Sequence, residues 1–319
     1  MTAILNDPIF RDEAKAREWL EARVWPEGPV CAHCGATSDQ VTKLEGEKHR
    51  PGLYQCNQCR EQFTVTVGTV FERSKLPLTK WLAALFLMTA SKKGISAHQV
   101  HRMLGISYKS TWFMMHRLRE AMRPAFPPVM GEGGGTVEMD TTYVGGREKN
   151  RHANKRQNLG HGPVGKEPVI SLVERDGSVH SHHVPNVTAK NVGAILEAQL
   201  HEDATLYTDD DRTFRTVKPR HRPHGVVKHS TGEYVRGDVH TNTIEGYFSI
   251  LKRGITGTYH HVSQQHLKRY LAEFDFRYNE RSKLGVDDEA RAAKLAVGIK
   301  GKRLTYRRPD REEDEASAH

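Results

Sequence analysis

A chain of 319 residues with 37% hydrophobic content is long enough for two or three domains around substantial cores. Lys and Arg number 48 against 39 Asp and Glu, giving a net charge of +9 and a pI near 9.3. That balance favours a polyanionic partner, because clustered cations that neutralise phosphates release counterions. The longest apolar run, Trp81 to Ala90, falls short of the ~20 residues a helix needs to span a bilayer, so no membrane-spanning helix is expected.

Residues 1–27 lack the charged-then-apolar layout of a signal peptide and predict a short amphipathic helix. All four cysteines fall in two Cys-x-x-Cys pairs, leaving none for a structural disulfide, so a reducing cytoplasm, in association with the nucleoid, is the expected location. In residues 28–73, Cys31–Cys34 and Cys56–Cys59 are knuckles separated by 21 residues. Two residues between thiolates let one tight turn present both sulfurs, and two such turns complete a tetrahedral, closed and therefore structural Zn²⁺ site. His33 and His49 are the alternative ligands, each read more simply as a surface histidine. The alternating run Phe63 to Val67 predicts a ribbon strand.

Residues 74–130 read as a helical module and linker. Helix is expected throughout Pro77 to Met122, with Ser96 and Gln99 as a capping box, Gly105 as a helix end and Ser107 as the next cap. Helix, glycine turn and second helix match helix-turn-helix spacing. Lys109, Ser110 and Arg117 are the expected DNA contacts, while Trp112, Phe113, Met115 and Leu118 fill the core. A plain helical spacer is the alternative. Pro124, Pro127, Pro128, Gly131 and Gly133 to Gly135 then mark a boundary.

From residue 131 to 285, strands are expected at TVEMDTTYV, PVISLVE, SVHSHHVP and ATLYTD, with helices at Thr188 to Leu200, Asn242 to Arg253 and Ser263 to Arg281. This is an α/β layer structure. Residues 286–319 read as a basic then acidic tail.

Three carboxylates stand out in this last region: Asp140 and Asp209 on strands, and Glu245 at a helix start 36 positions after Asp209. Carboxylates are the hard ligands that Mg²⁺ prefers, and a pair of such ions can activate a water or 3′-hydroxyl for in-line displacement at phosphorus. The expected arrangement makes Asp140 the bridging ligand, with Asp209 and Glu245 each holding one ion. Each also has a dull reading: Asp140 facing solvent by alternation, Asp209 capping a turn, and Glu245 closing a capping box with Asn242. The run Asp209-Asp210-Asp211 leaves the second ligand open by one register, with Asp209 favoured as the strand end. Basic loops carrying Arg147, Lys149, Arg151, Lys155 and Arg156, then Arg220 and Arg222, flank these residues, and Lys252 and Arg253 follow on the helix. Cations so placed would lead phosphates in against the field of the carboxylates.

The stretches VEMDTTYVGG, LYTDD, HTNTIEGYFSILKRGITGTYHHVS and LAEFDFRYN resemble the zinc-ribbon branch of bacterial insertion-sequence DDE transposases, over about Cys31 to Tyr278. Thr141 stands where this branch often has Glu. The resemblance implies a multidomain α+β chain: an N-terminal zinc ribbon, a helix-turn-helix module and an RNase H-like α/β catalytic domain with a mixed sheet. It further implies Asp140, Asp209 and Glu245 as the acidic triad, two Mg²⁺ or Mn²⁺ ions, and binding to double-stranded DNA at terminal inverted repeats and target. A homo-oligomer, at least a dimer at synapsis, follows from pairing two ends. No Gly-rich phosphate loop is present, so no nucleotide cofactor is expected. His180, His182 and His183 suggest a metal but read as a polar strand face. His266, Arg269 and Tyr278 mimic part of a tyrosine recombinase site on a helix whose apolar stripe packs. Two other classes compete with the strand transferase: a non-catalytic DNA-binding regulator with a decayed core, and a nuclease that cuts without joining.

Overall fold

The computed structural model describes residues 6–146, 152, 154, 156, 165–216, 223–228 and 231–305. The chain divides into two compact units, one of residues 1–90, 97–122 and 288–319, the other of residues 91–96 and 123–287.

In the first unit, Asp12 caps helix α1 (Glu13–Val24) by accepting the Ala14 and Lys15 N–H groups. The ribbon follows as β1 (Val41–Leu44), β2 (Leu53–Cys56) and β3 (Gln62–Phe63), an antiparallel sheet in that order. Trp25 packs edge-on against Tyr54 and Phe63, with ring centres 5.3 and 5.8 Å away, joining the end of α1 to the ribbon. The strand expected over Phe63 to Val67 ends at Phe63. Beyond it the Val67 N–H turns back to the Thr64 carbonyl and the Thr64 and Thr66 hydroxyls pair at 2.9 Å, so the alternation there belongs to a turn.

The helical stretch from Pro77 to Met122 is divided into α2 (Leu78–Ala90), α3 (Ala97–Leu104) and α4 (Tyr108–Met122), with breaks next to the expected helix start at Ser96 and the glycine turn at Gly105. Glu13 of α1 accepts the Leu78 and Thr79 N–H groups at the start of α2, satisfying donors that a helix leaves open. Gly105 takes a left-handed φ of 63° to end α3, and Ser107 Oγ accepts the Ser110 N–H to begin α4, as the sequence indicated. The supposed tail is structured at its start. Helix α9 (Asp288–Val297) buries Ala292, Leu295 and Ala296, and its Arg291 donates to the Thr89 carbonyl of α2. Residues 306–319 lie outside the described residues.

The second unit holds a mixed sheet in the order β6-β5-β4-β7-β8. Its strands are β4 (Thr136–Val144), β5 (Glu167–Glu174), β6 (Val179–His183), β7 (Thr205–Thr208) and β8 (His224–Val226). Strands β4, β5 and β6 pair antiparallel, whereas β7 lies parallel to β4 and to β8. Because side chains alternate, Val137 and Met139 face one layer, with Val192, Ile195 and Leu196 of α5 (Ala189–Gln199). Val144, Val169 and Val173 face the other, with Ile244, Tyr247, Phe248 and Leu251 of α7 (Asn242–Gly254) and Leu267, Leu271 and Phe274 of α8 (Gln264–Asn279). The sheet is therefore covered on both faces.

Candidate metal centres

The ribbon thiolates form one centre. Cys31 and Cys59 sulfurs stand 3.7 Å apart, Cys34 and Cys56 sulfurs 3.6 Å apart, and all four lie within 4.8 Å of one another. A tetrahedron of Zn–S bonds of about 2.3 Å requires sulfur separations near 3.8 Å, so the set fits the ion. Without a metal the thiols share the charge unequally: the Cys59 and Gln58 N–H groups, against burial, pull Cys56 down to about 7, while burial and the neighbouring sulfurs push Cys34 and Cys59 up. Each knuckle turns through a left-handed residue just after its second cysteine, Gly35 at φ 81° and Arg60 at φ 64°. Neither His33 nor His49 belongs to this cluster.

The carboxylates are built from three elements. Parallel pairing sets Met139 of β4 against Thr208 of β7, so Asp140 and Asp209 follow side by side on adjacent strands. By alternation Asp140 points to the α7 layer, on the same face as Glu138. Glu245 lies in the first turn of α7. Burial first, then the charge of Asp209 and, more weakly, that of Glu245, push the Asp140 carboxyl up to about 7, against the Thr141 N–H and the Lys252 ammonium. Asp140 and Asp209 are both half-buried and Glu245 is exposed. Among the described residues only the four cysteines form a group of three or more His, Cys, Asp or Glu side chains whose ligand atoms all lie within 4.8 Å of one another. Asp140, Asp209 and Glu245 do not form such a group.

The dull readings resolve individually. Asp209 Oδ1 does accept the Asp211 N–H at 3.1 Å, and Asp211 in turn caps the short helix α6 (Arg212–Thr216) through the Thr213 N–H. Glu245 does not close a capping box with Asn242; its Oε1 accepts the Thr241 hydroxyl at 3.2 Å.

Glu138 is the residue the sequence reading missed. Fully buried, it accepts the Thr243 N–H at 2.9 Å, the Thr243 hydroxyl at 2.9 Å and the Ile244 N–H at 3.0 Å, and pairs with Arg175 Nε at 2.8 Å. It thus caps the first turn of α7 from within the sheet, two residues before Asp140 on the same strand face. Arg175 also donates to the Asp238 and His240 carbonyls, fixing the loop that leads into α7. A signal existed, since the strand alternation that placed Asp140 placed Glu138 beside it.

The expected DNA contacts fare unevenly. Lys109 is exposed and Ser110 half-buried at the start of α4. Arg117 is buried, donates to the Glu72 carbonyl at 2.6 Å and lies over the Trp81 ring, so its position is a core one. Lys252 and Arg253 are exposed, the latter folded back onto the Ser249 carbonyl. Arg156 is exposed, whereas Arg147, Lys149, Arg151, Lys155, Arg220 and Arg222 lie outside the described residues. His180 and His182 both meet Gln199 Oε1, at 3.0 and 2.9 Å, a satisfied polar face as expected.

With this geometry in hand, the comparisons with known proteins are specific. Residues 11–62 match the transposase zinc-ribbon domain, and residues 133–279 match the ISXO2-like transposase domain. The chain is 30% identical over 282 residues to an uncharacterized protein in transposable element ISH50 of Halobacterium salinarum, covering 84% of this chain and 91% of the relative. This chain belongs to the IS1595 family of insertion-sequence transposases. An uncharacterized transposase-like protein of Haemophilus influenzae is 25% identical over 101 residues, covering 32% of this chain and 80% of its own. Family membership makes the four-cysteine module a zinc ribbon, as its sulfur geometry already indicated. No helix of the described residues is long and apolar enough to cross a membrane.

Proposed function

We propose that this transposase cuts and joins DNA with a pair of Mg²⁺ or Mn²⁺ ions held by Asp140, Asp209 and Glu245. The observation that carries the reading is the placing of Asp209 and Glu245 near Asp140, whose carboxyl is raised to about 7 by burial first and then by their charges, with Lys252 opposing only weakly. Such a cluster of like charges costs stability unless a cation or proton answers it, which is the signature of a ligand set. When bound, the ion pair supplies an activated water or 3′-hydroxyl and neutralises charge on the leaving oxygen. Lys252, two helical turns beyond Glu245, offers a cation to phosphates approaching the carboxylates.

The mixed sheet with β4 at its centre and helices on both faces supports an RNase H-like core. In the other unit, α3, Gly105 and α4 support a helix-turn-helix that reads element ends through Lys109 and Ser110, with Arg117 left out as a core residue. The zinc ribbon adds a second DNA-binding element, and synapsis of two ends would require at least a dimer.

A cleavage and joining assay tests this. Purified protein, Mg²⁺ and DNA carrying the sequences that flank the reading frame should give nicks at the element ends and joined products. Specific binding without any nicking would favour the non-catalytic regulator, and nicking without joining a plain nuclease.

A further inference from the structure

Helix α7 does not end in an ordinary turn. It runs directly into a π-helical turn, Ile255–Tyr259, and then into His260 at φ 60° and ψ −46°. The His261 N–H closes back onto the Tyr259 carbonyl at 2.7 Å, so His260 is the central residue of a γ-turn of the rare, strained hand. The strain is held from behind by Tyr259, whose hydroxyl donates to the fully buried Glu273 at 2.5 Å. π-turns and positive-φ residues other than glycine concentrate at functional sites, because only a use for the resulting geometry offsets their cost.

What the distortion does is place two imidazoles on a cleft. A cavity of about 610 Å³, within the ~300–1,000 Å³ range of small-ligand sites, is lined by Tyr143, Lys166, Lys252, Thr256, His260 and His261. Its other described lining residues are glycine, valine and isoleucine, so no acid is among the described residues that line it. The cleft begins where β4 ends, just beyond Asp140. Lys252 acts on the Asp140 carboxyl, and Tyr143 stands close enough to feel the charge of Asp211. One end of this hollow therefore adjoins the carboxylates, while its walls are cationic and carry one 37% exposed aromatic face.

We propose that this cleft is a nucleotide-binding subsite, with Lys166, His260 and His261 holding a phosphate and Tyr143 stacking the base of a DNA strand that runs on to the carboxylates. The assignment of the strand's destination rests on the function proposed above; the subsite itself rests on the cleft. An exposed ring accepts any base by its π-face, which suits a strand bound without regard to sequence.

The experiment uses the full-length, zinc-loaded protein in Mg²⁺-free buffer with a dye-labelled, 5′-phosphorylated tetrathymidylate, read by fluorescence anisotropy. Wild type should bind it. His260→Gly and His261→Ala should each weaken binding about fivefold to tenfold, and Lys166→Ala should flatten the slope of log affinity against log salt by about 0.7, the single-strand value for one phosphate contact. His260→Gly also relaxes the turn, so its melting temperature should hold or rise while affinity falls; a merely structural histidine would not separate the two. Unchanged affinity in His260→Gly and His261→Ala, with the fold intact, would overturn the proposal. So would an equal loss in Lys190→Ala, an exposed lysine on α5, because binding would then reflect net charge alone. No nicking by wild type, with His-dependent binding retained, would sink the proposed function and leave the subsite standing. Normal nicking with His-independent binding would do the reverse.

Discussion

The carboxylate of Glu138 accepts the Ile244 backbone N–H at 3.0 Å, one residue before Glu245. A helix N-terminus carries partial positive charge and open donors, and a buried anion there both satisfies and orients it. Glu138 and Asp140 share a strand face, so a single strand carries one proposed ligand and the group that aims another.

Removing that cap should be costly. Glu138→Ala leaves Arg175 and three helix-start donors without their acceptor, a loss of about 3–5 kcal/mol for breaking a buried pair. The mutant's second unit should melt well below wild type. Glu138→Gln keeps the shape and part of the acceptor capacity, so it should fold while losing metal-dependent cleavage more than DNA binding. Calorimetry and a nicking assay check both; a Glu138→Gln protein of wild-type activity would remove Glu138 from the positioning of Glu245.

Acid should steady the metal-free protein. Burial and neighbouring carboxylates raise Asp140 from 3.8 to about 7, and burial raises Asp275 to about 6, against hydrogen bonds from Tyr247 and Ser181. A raised carboxyl contributes stability that is full below its unfolded value and lost as pH climbs through the folded one. Stability of the second unit should thus fall between about pH 4 and 7. Mg²⁺ should raise the melting temperature more at pH 8 than at pH 5, since bound cations require the ionised ligands. Asp140→Asn should remove the Mg²⁺ response. Thermal melts across pH, with and without Mg²⁺, decide this; an equal Mg²⁺ shift at both pH values would count against it.

The two knuckles differ in one respect that can be measured. Arg60 occupies the left-handed position that Gly35 fills in the first knuckle, and an L side chain there costs about 1–2 kcal/mol. Arg60→Gly should stabilise the ribbon by a fraction of that, about 0.5–1 kcal/mol, because glycine is also freer in the unfolded chain. Gly35→Arg should destabilise it. Chelator-challenge rates of zinc loss should order as Gly35→Arg fastest, wild type next, Arg60→Gly slowest.

Zinc itself should be required for the ribbon to fold. Cys31→Ser removes a buried ligand, and Trp25, packed on Tyr54 and Phe63, should report the loss as a change in near-ultraviolet dichroism. End binding should weaken in parallel. Full zinc content with unchanged affinity in that variant would contradict the role given to Cys31.

Much of this was legible in the sequence because it rests on local rules. Alternation marked β4, β5 and β6, capping by Ser107 marked α4, and the spacing of cysteines marked the ribbon. The failures share one cause, since each depended on a distant partner. Helix α9 is alanine-rich and weakly apolar, and only its contact with Thr89 and its neighbours distinguishes it from a tail. Arg117 lies on a helix whose register allowed either face, and the Glu72 carbonyl that holds it is 45 residues away. Glu138 looked like one more strand residue until α7, more than a hundred residues on, supplied its donors. The turn after Phe63 alternates like a strand but has no partner strand beyond that residue.

The most direct test is to compare wild type with Asp140→Asn, Asp209→Asn and Glu245→Gln on DNA bearing the element ends, following Mg²⁺-dependent nicking and end binding together. The account predicts that each substitution lowers nicking by at least a hundredfold, about 2.7 kcal/mol at ten per 1.36 kcal/mol, while end binding stays within a few fold of wild type. Nicking that survives any one of the three at wild-type rate would contradict it.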